Sequence, residues 1–218
     1  MMIVMYIVKG DGKSTMKVSR EQVTENRRTI LEAASRLFRE RGFDSVTVAE
    51  VMKAAGLTHG GFYGYFKSKD ELIAEALGEA LTQTTTGPLR DLASYAAEYL
   101  SRSHRDDLAG GCPTAALAAE TIRQPRGTRA SMTAGLKQQL ERFSRVAPGE
   151  NAAQKRRAAI GSWAAMVGAM ILARASGDPA LSGEVLDQTR AWLQERTRDH
   201  GPRLARRKPS STRKPAGR

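Results

Sequence analysis

The stretch Val46–Phe66, VTVAEVMKAAGLTHGGFYGYF, decides how the chain is read. Thr47 followed three residues later by Glu50 forms a capping box, in which the threonine hydroxyl takes an orphan N–H and the carboxylate reaches back, so a helix begins there. Val48, Val51 and Met52 give that helix an apolar stripe, and Gly56 supplies the left-handed residue that ends it. Leu57 anchors the turn, Thr58 is a second N-cap, and His59 to Tyr63 form a helix barely two turns long. Two short helices around a tight turn are a helix-turn-helix, whose second helix lays its N-terminal residues against base edges in the major groove.

The residues on either side extend the motif. AGLTHGGFYGYFKSKDEL, Ala55 to Leu72, and ILEAASRLFRERGFDSVTV, Ile30 to Val48, together resemble the most recognisable segment of the TetR/AcrR family of bacterial transcriptional regulators. The aromatic pair Tyr63 and Phe66, the Lys67-Ser68-Lys69 step and the Asp70-Glu71-Leu72 helix start carry the likeness, which runs from about Thr24 to Leu81. It implies an all-α fold: an N-terminal three-helix domain with the helix-turn-helix, then a larger C-terminal helical domain for ligand binding and dimerisation. That gives a DNA-binding domain at 21–84, a ligand-binding and dimerisation domain at 85–199, an N-terminal extension at 1–20 and a basic tail at 200–218. The resemblance also implies a ligand-released repressor that binds a palindromic operator as a homodimer in the cytoplasm, without a cofactor.

At 218 residues, 40% hydrophobic and 27% charged, the chain can bury a sizeable core. Its net charge of +12 favours a polyanionic partner. A single cysteine excludes an intramolecular disulfide and fits a reducing compartment. Three histidines at 59, 104 and 200, with no metal-ligand cluster, phosphate loop or nucleophile elbow, leave nothing on which to build an enzyme. The apolar run Met1–Val8 is too short to span a bilayer and lacks the flanks of a signal peptide, so no membrane role is expected. Met16 opens the segment with which members of the family begin. Residues 1–15 are read as a misassigned start, or alternatively as an extra β-like arm.

Ile30, Ala34, Leu37 and Phe38 recur at helical spacing, so Glu21–Arg41 reads as an amphipathic helix that ends at Gly42 and braces the motif. Arg27 or Arg28 is a candidate phosphate contact on it. Ser68 with Glu71 opens a connector helix at Lys69. Further helices are expected over about 88–103, from Pro113 to Ile122, over about 126–146, across 150–176 and over about 182–198, with a polar loop at 102–111. From Ala158 to Ala173 the chain is apolar on every side, which requires a core on one face and a second subunit on the other. The candidate dimer surface is Gly161, Ala165, Gly168, Ala169, Leu172, Leu186, Trp192 and Leu193. From Gly201 the tail carries seven basic residues and no acidic one, a composition expected to stay disordered and either to add counterion-release affinity without sequence preference or to be a solvated extension with no role.

On the family's pattern, Thr47, Thr58, Tyr63, Tyr65, Lys67 and Lys69 fall where phosphates are touched, and His59, Gly60 and Gly61 where bases are read. Pocket candidates are Tyr95, Tyr99, Cys112, Met132, Phe143, Trp163, Met166 and Met170, which suit a small hydrophobic effector. Cys112 precedes Pro113 and so caps a helix start, where free N–H groups favour a thiolate. A Gly-Cys opening of this helix resembles some electrophile-sensing members of the family. Redox or electrophile sensing through Cys112 is therefore one alternative, and non-specific nucleic-acid binding through the tail another.

Overall fold

A computed structural model of the chain describes residues 19–198. The readings of residues 1–18 and 199–218, among them the alternative start and the basic tail, lie outside the described residues. Among the described residues every regular element is helical: α1 (Arg20–Arg41), α2 (Val48–Ala54), a 3-10 turn (His59–Gly64), α3 (Lys69–Thr84), α4 (Leu92–Tyr99), α5 (Arg102–Asp106), α6 (Pro113–Thr121), α7 (Arg126–Val146), α8 (Ala152–Ala175) and α9 (Pro179–Arg198).

The N-terminal elements are set by their ends. Ser19 caps α1 through the Gln22 N–H, and Gly42, at φ 82°, ends it. Thr47 and Glu50 form the reciprocal capping box of α2. At its other end the Leu57 N–H donates to the Met52 carbonyl and the Gly56 N–H to that of Lys53, a Schellman pattern closed by Gly56 at φ 73°. Ser68 caps α3. These helices share a core of Ile30, Phe38, Phe43, Val46, Met52, Phe62, Phe66, Leu72 and Leu77, which also takes in Leu117 of α6 and Met132 of α7. The first core therefore does not stop at residue 84: α6 and α7 press into it from the second domain.

The second core joins α4, α7, α8 and α9 around Tyr99, Phe143, Trp163, Met166, Met170 and Leu186. Its aromatic rings meet edge to face, with centroids 4.9 Å apart for Tyr95–Phe143, 5.4 Å for Tyr99–Trp163 and 5.5 Å for Phe143–Trp163. The single helix expected over 88–103 is shorter and is followed by another. Asp91 accepts from the Ser94 N–H and starts α4 late, while Ser101 accepts from the His104 N–H and starts α5 inside the expected loop. Asp178 likewise receives the Ala180 N–H, so α9 begins at Pro179, three residues before the expected Ser182.

Helix α8 is buried on one face only, through Ala159, Trp163, Met166, Ala169, Met170 and Ala173. Ile160, Ile171 and Leu172 face outward, Leu172 with 61% of its surface exposed, alongside Leu181 and Trp192 of α9. Helix α8 is long and apolar enough to cross a membrane by length and composition, a test that the core helix of a globular domain also passes. Three residues expected on a dimer surface belong to the protomer's interior: Ala169 lies one turn from the buried Met166 and Ala173 of α8, and Leu186 and Leu193, seven residues apart, share the inward face of α9. Gly161 and Trp192 are exposed, and Ala165 and Gly168 half-buried.

Candidate nucleic-acid interface

The helix-turn-helix sorts its side chains by face. Phe62 and Phe66 are buried and stacked on each other at 5.7 Å, which fixes the turn onto α1 and α3. His59, Gly60 and Tyr63 point to solvent, Tyr63 with 75% of its surface exposed. The reading element is a 3-10 turn, closed by Gly61 N–H to Thr58 O and Tyr65 N–H to Phe62 O, and not a two-turn α-helix. Gly60, Gly61 and Gly64 explain this, since each disfavours an α-helix by about 1 kcal/mol relative to alanine. Around Gly60 the space where a Cβ would sit is open for 4 Å, so backbone there lies bare to an approaching surface.

Two of the expected contacts sit differently. Gly61 is buried within the motif, which leaves His59 and Gly60 as the exposed candidates for base reading on this element. Tyr65 is half-buried and its hydroxyl accepts from the Asn26 side chain at 2.8 Å, tying the turn to α1. Thr58 occupies the N-cap position without a side-chain cap bond, because the 3-10 turn offers its first N–H to the Thr58 carbonyl; the exposed hydroxyl caps nothing. Thr47 and Lys67 are exposed and Lys69 is half-buried, and the Lys67 backbone N–H donates to Glu71. Arg27 pairs with Glu75 and lies over the Phe66 ring, 4.7 Å from its centre. Arg28 is held between Glu25 and Glu32. Both candidate phosphate contacts on α1 are thus engaged with carboxylates; for Arg27 the partner is hidden in sequence because Glu75 lies on another helix, α3.

In the second domain a cavity of about 570 Å³ opens between the Thr84–Pro88 link, α4, α5 and α7. Of the residues expected around a pocket, only Tyr95 and Tyr99 border it. Cys112, Phe143, Trp163, Met166 and Met170 are packed into the second core, and Met132 into the first, where each fills space with no opening. Polar groups missed in sequence complete the wall: Glu98, His104, Asp107 and Arg142. The Arg142 guanidinium donates to the carbonyls of Thr84 and Gly87. Burial raises the Tyr95 hydroxyl well above its ordinary range; for Tyr99 burial does the same, helped by the neighbouring Cys112.

The wall is wired to both cores. His104 Nδ1 lies 2.7 Å from the Tyr99 carbonyl and the Cys112 N–H donates to its Nε2 at 3.1 Å, so the ring is neutral, with its proton on Nδ1. Burial accordingly lowers the pKa of His104. Arg174 of α8 donates to the carbonyls of His104, Arg105 and Asp107, and Arg39 of α1 to those of Gly110 and Gly111. At the far end of α6, Glu120 accepts the Phe43 N–H at 2.7 Å.

Comparison with known proteins places this arrangement. Residues 30–76 match the model of the bacterial regulatory proteins of the tetR family. The chain is 40% identical over 57 residues to the regulator AcrR of Shigella flexneri, 26% of each chain, and 30% identical over 95 residues to the repressor KstR2 of Mycolicibacterium smegmatis, 38% of this chain and 46% of that one. It therefore spans between a quarter and a half of these curated relatives. The fold extends further. The reduced form of Escherichia coli NemR superposes with a TM-score of 0.64 at 20% identity, over 78% of this chain and 96% of that one. A TetR-family regulator of Agrobacterium tumefaciens gives 0.64 at 21% identity, over 79% and 98%. Its helix-turn-helix segment is thus similar in sequence to the bacterial regulatory proteins of the tetR family, and its helical architecture shares the fold of solved TetR-family structures.

Proposed function

We propose that the chain represses transcription by binding a palindromic operator as a homodimer and leaves it when a small molecule binds. The observation that carries this is the one-sided motif: Phe62 and Phe66 hold it from behind while His59, Gly60, Tyr63 and Lys67 stand free at its front. Residues of that front touch phosphates and base edges, the first fixing register and the second sequence. The exposed apolar stripe of Ile160, Ile171, Leu172 and Trp192 favours a second copy as its cover, since a two-fold axis buries the same stripe on both chains. The cavity beside Tyr95 and Tyr99 supports ligand control, because a ligand preferring one arrangement of its walls lowers DNA affinity by its differential affinity for the two states. Buried polar groups without a partner, Trp163 Nε1 and the Gln139 amide, lie in the same domain. An electrophoretic shift of the gene's own upstream region against random duplex tests the reading. Selective retardation supports it, whereas equal retardation favours non-specific coating.

A second reading concerns Cys112. The thiol sits at the start of α6, next to the segment whose carbonyls Arg39 and Arg174 hold, so covalent modification there would press on those hydrogen bonds. The related NemR has been described in a reduced form. A thiol-reactive probe in the same shift assay, with Cys112→Ser as control, separates thiol control from control by a reversibly bound ligand.

A further inference from the structure

Three arginines cluster around the start of α7. Arg123 lies in the turn before it, and Arg126 and Arg129 in its first turns; all three are exposed and form no ion pair or side-chain hydrogen bond among the described residues. No acidic residue stands in that first turn and no side chain caps it. Cations at a helix N-terminus oppose the macrodipole, so their placement costs stability unless an outside anion meets them.

Their position follows from the packing of α7 on α3. A Cβ on Gly127 would lie 3.8 Å from the Ala74 Cβ, one on Gly78 3.6 Å from the Ser131 Oγ, and one on Gly135 2.6 Å from the Leu81 Cβ. The two helices thus run side by side in the same direction, with residue 74 level with 127, 78 with 131 and 81 with 135. Extended to the start of α3, this register sets Arg126 level with Ile73, about 6 Å along the axis from Lys69 at 1.5 Å per residue. Of the carboxylates near that edge, Glu71 accepts the Lys67 N–H, Glu75 pairs with Arg27 and Glu120 accepts the Phe43 N–H, while Asp70 beside Lys69 is exposed and forms no ion pair among the described residues.

We propose that Arg123, Arg126 and Arg129 form a second phosphate-binding edge through which the C-terminal domain touches the DNA backbone beside the sequence read by the helix-turn-helix. This rests on the DNA-binding reading above and goes beyond it in assigning contacts to the other domain. Phosphates bound there carry no sequence information; they add affinity and register.

The test uses the full chain, its upstream-region duplex and a random duplex of equal length, with binding measured by anisotropy across a salt series. The variant R123A/R126A/R129A is expected to bind the upstream duplex about ten-fold more weakly, with a salt slope shallower by about 0.9 for each phosphate no longer neutralised. The lysine variant R123K/R126K/R129K is expected to keep the slope. Thermal unfolding of the alanine variant is expected at or above the wild-type temperature, since removing cations from a helix start relieves the dipole. An unchanged slope overturns the inference and leaves the DNA-binding reading standing. A lowered unfolding temperature together with weaker binding also overturns it, by assigning the arginines to folding. Wild-type protein that prefers neither duplex overturns the reading and the inference together.

Discussion

Lys67 and His59 stand for the two kinds of contact that the motif makes available. Lys67 is exposed just after the reading turn, so Lys67→Ala should weaken binding to specific and random duplex alike and reduce the salt slope by about one. His59 stands at the first position of the reading turn, and His59→Ala should instead narrow the gap between specific and random DNA by about 1–3 kcal/mol, measured as a ratio of affinities. Thr47 has a structural task first. Losing its hydroxyl strips the Glu50 N–H of its cap, and Thr47→Ala should lower stability by about 0.5–2 kcal/mol in urea unfolding. His104 adds a pH dependence. Its folded pKa is depressed from 6.5, chiefly by burial and further by Arg174, against the opposing pull of the Tyr99 carbonyl and of Asp107 and Glu98. The unfolded chain therefore binds the proton more readily, so this contribution to stability is complete above about pH 6.5 and falls away as pH drops towards the folded pKa. His104→Gln should flatten the urea midpoint between pH 7 and pH 5 relative to wild type; an equally steep profile would assign the acid sensitivity to other groups.

Elements whose ends are marked by side chains are legible in the sequence; those whose ends depend on competition between caps are not. The Thr47–Glu50 box, Gly56 and Ser68 place α2, the turn and the start of α3 where the residues say they should be, because each cap acts within four residues of itself. Asp91, Ser101 and Asp178 act just as locally, but apolar spacing alone draws one helix through 88–103 and starts another at Ser182. The candidate site divides in the same way. Outward-facing His59 and Lys67 follow from the motif, while the cavity's polar wall arises where α4, α5 and α7 meet and no periodicity reports it. The apolar candidates Phe143, Met166 and Met170 lie on stripes that mark core and pocket alike. Close packing of α7 on α3 also depends on one position. A methyl at Gly135 would lie 2.6 Å from the Leu81 Cβ, so Gly135→Ala should force the two helices apart and cost about 1–3 kcal/mol. Urea unfolding checks this, and a neutral substitution would show that the helix pair can yield.

Across the whole molecule, the DNA-binding domain is joined to the second domain by more than the length of α3. Arg39 holds the carbonyls before Cys112 and Glu120 holds the Phe43 N–H, so movement of the cavity wall has a short hydrogen-bonded route to α1. Two such molecules, paired through α8 and α9, would present their reading turns to half-sites roughly 34–36 Å apart. Leu172→Glu places a charge in the exposed stripe and should yield single chains by sedimentation, with affinity for the upstream duplex falling as the two turns cease to act together. The most direct measurement is to sequence the genomic DNA fragments retained by the purified chain. An inverted repeat recurring among them, its halves about one helical turn apart, is the expected result; fragments with no shared sequence would contradict the reading of this protein as an operator-specific repressor.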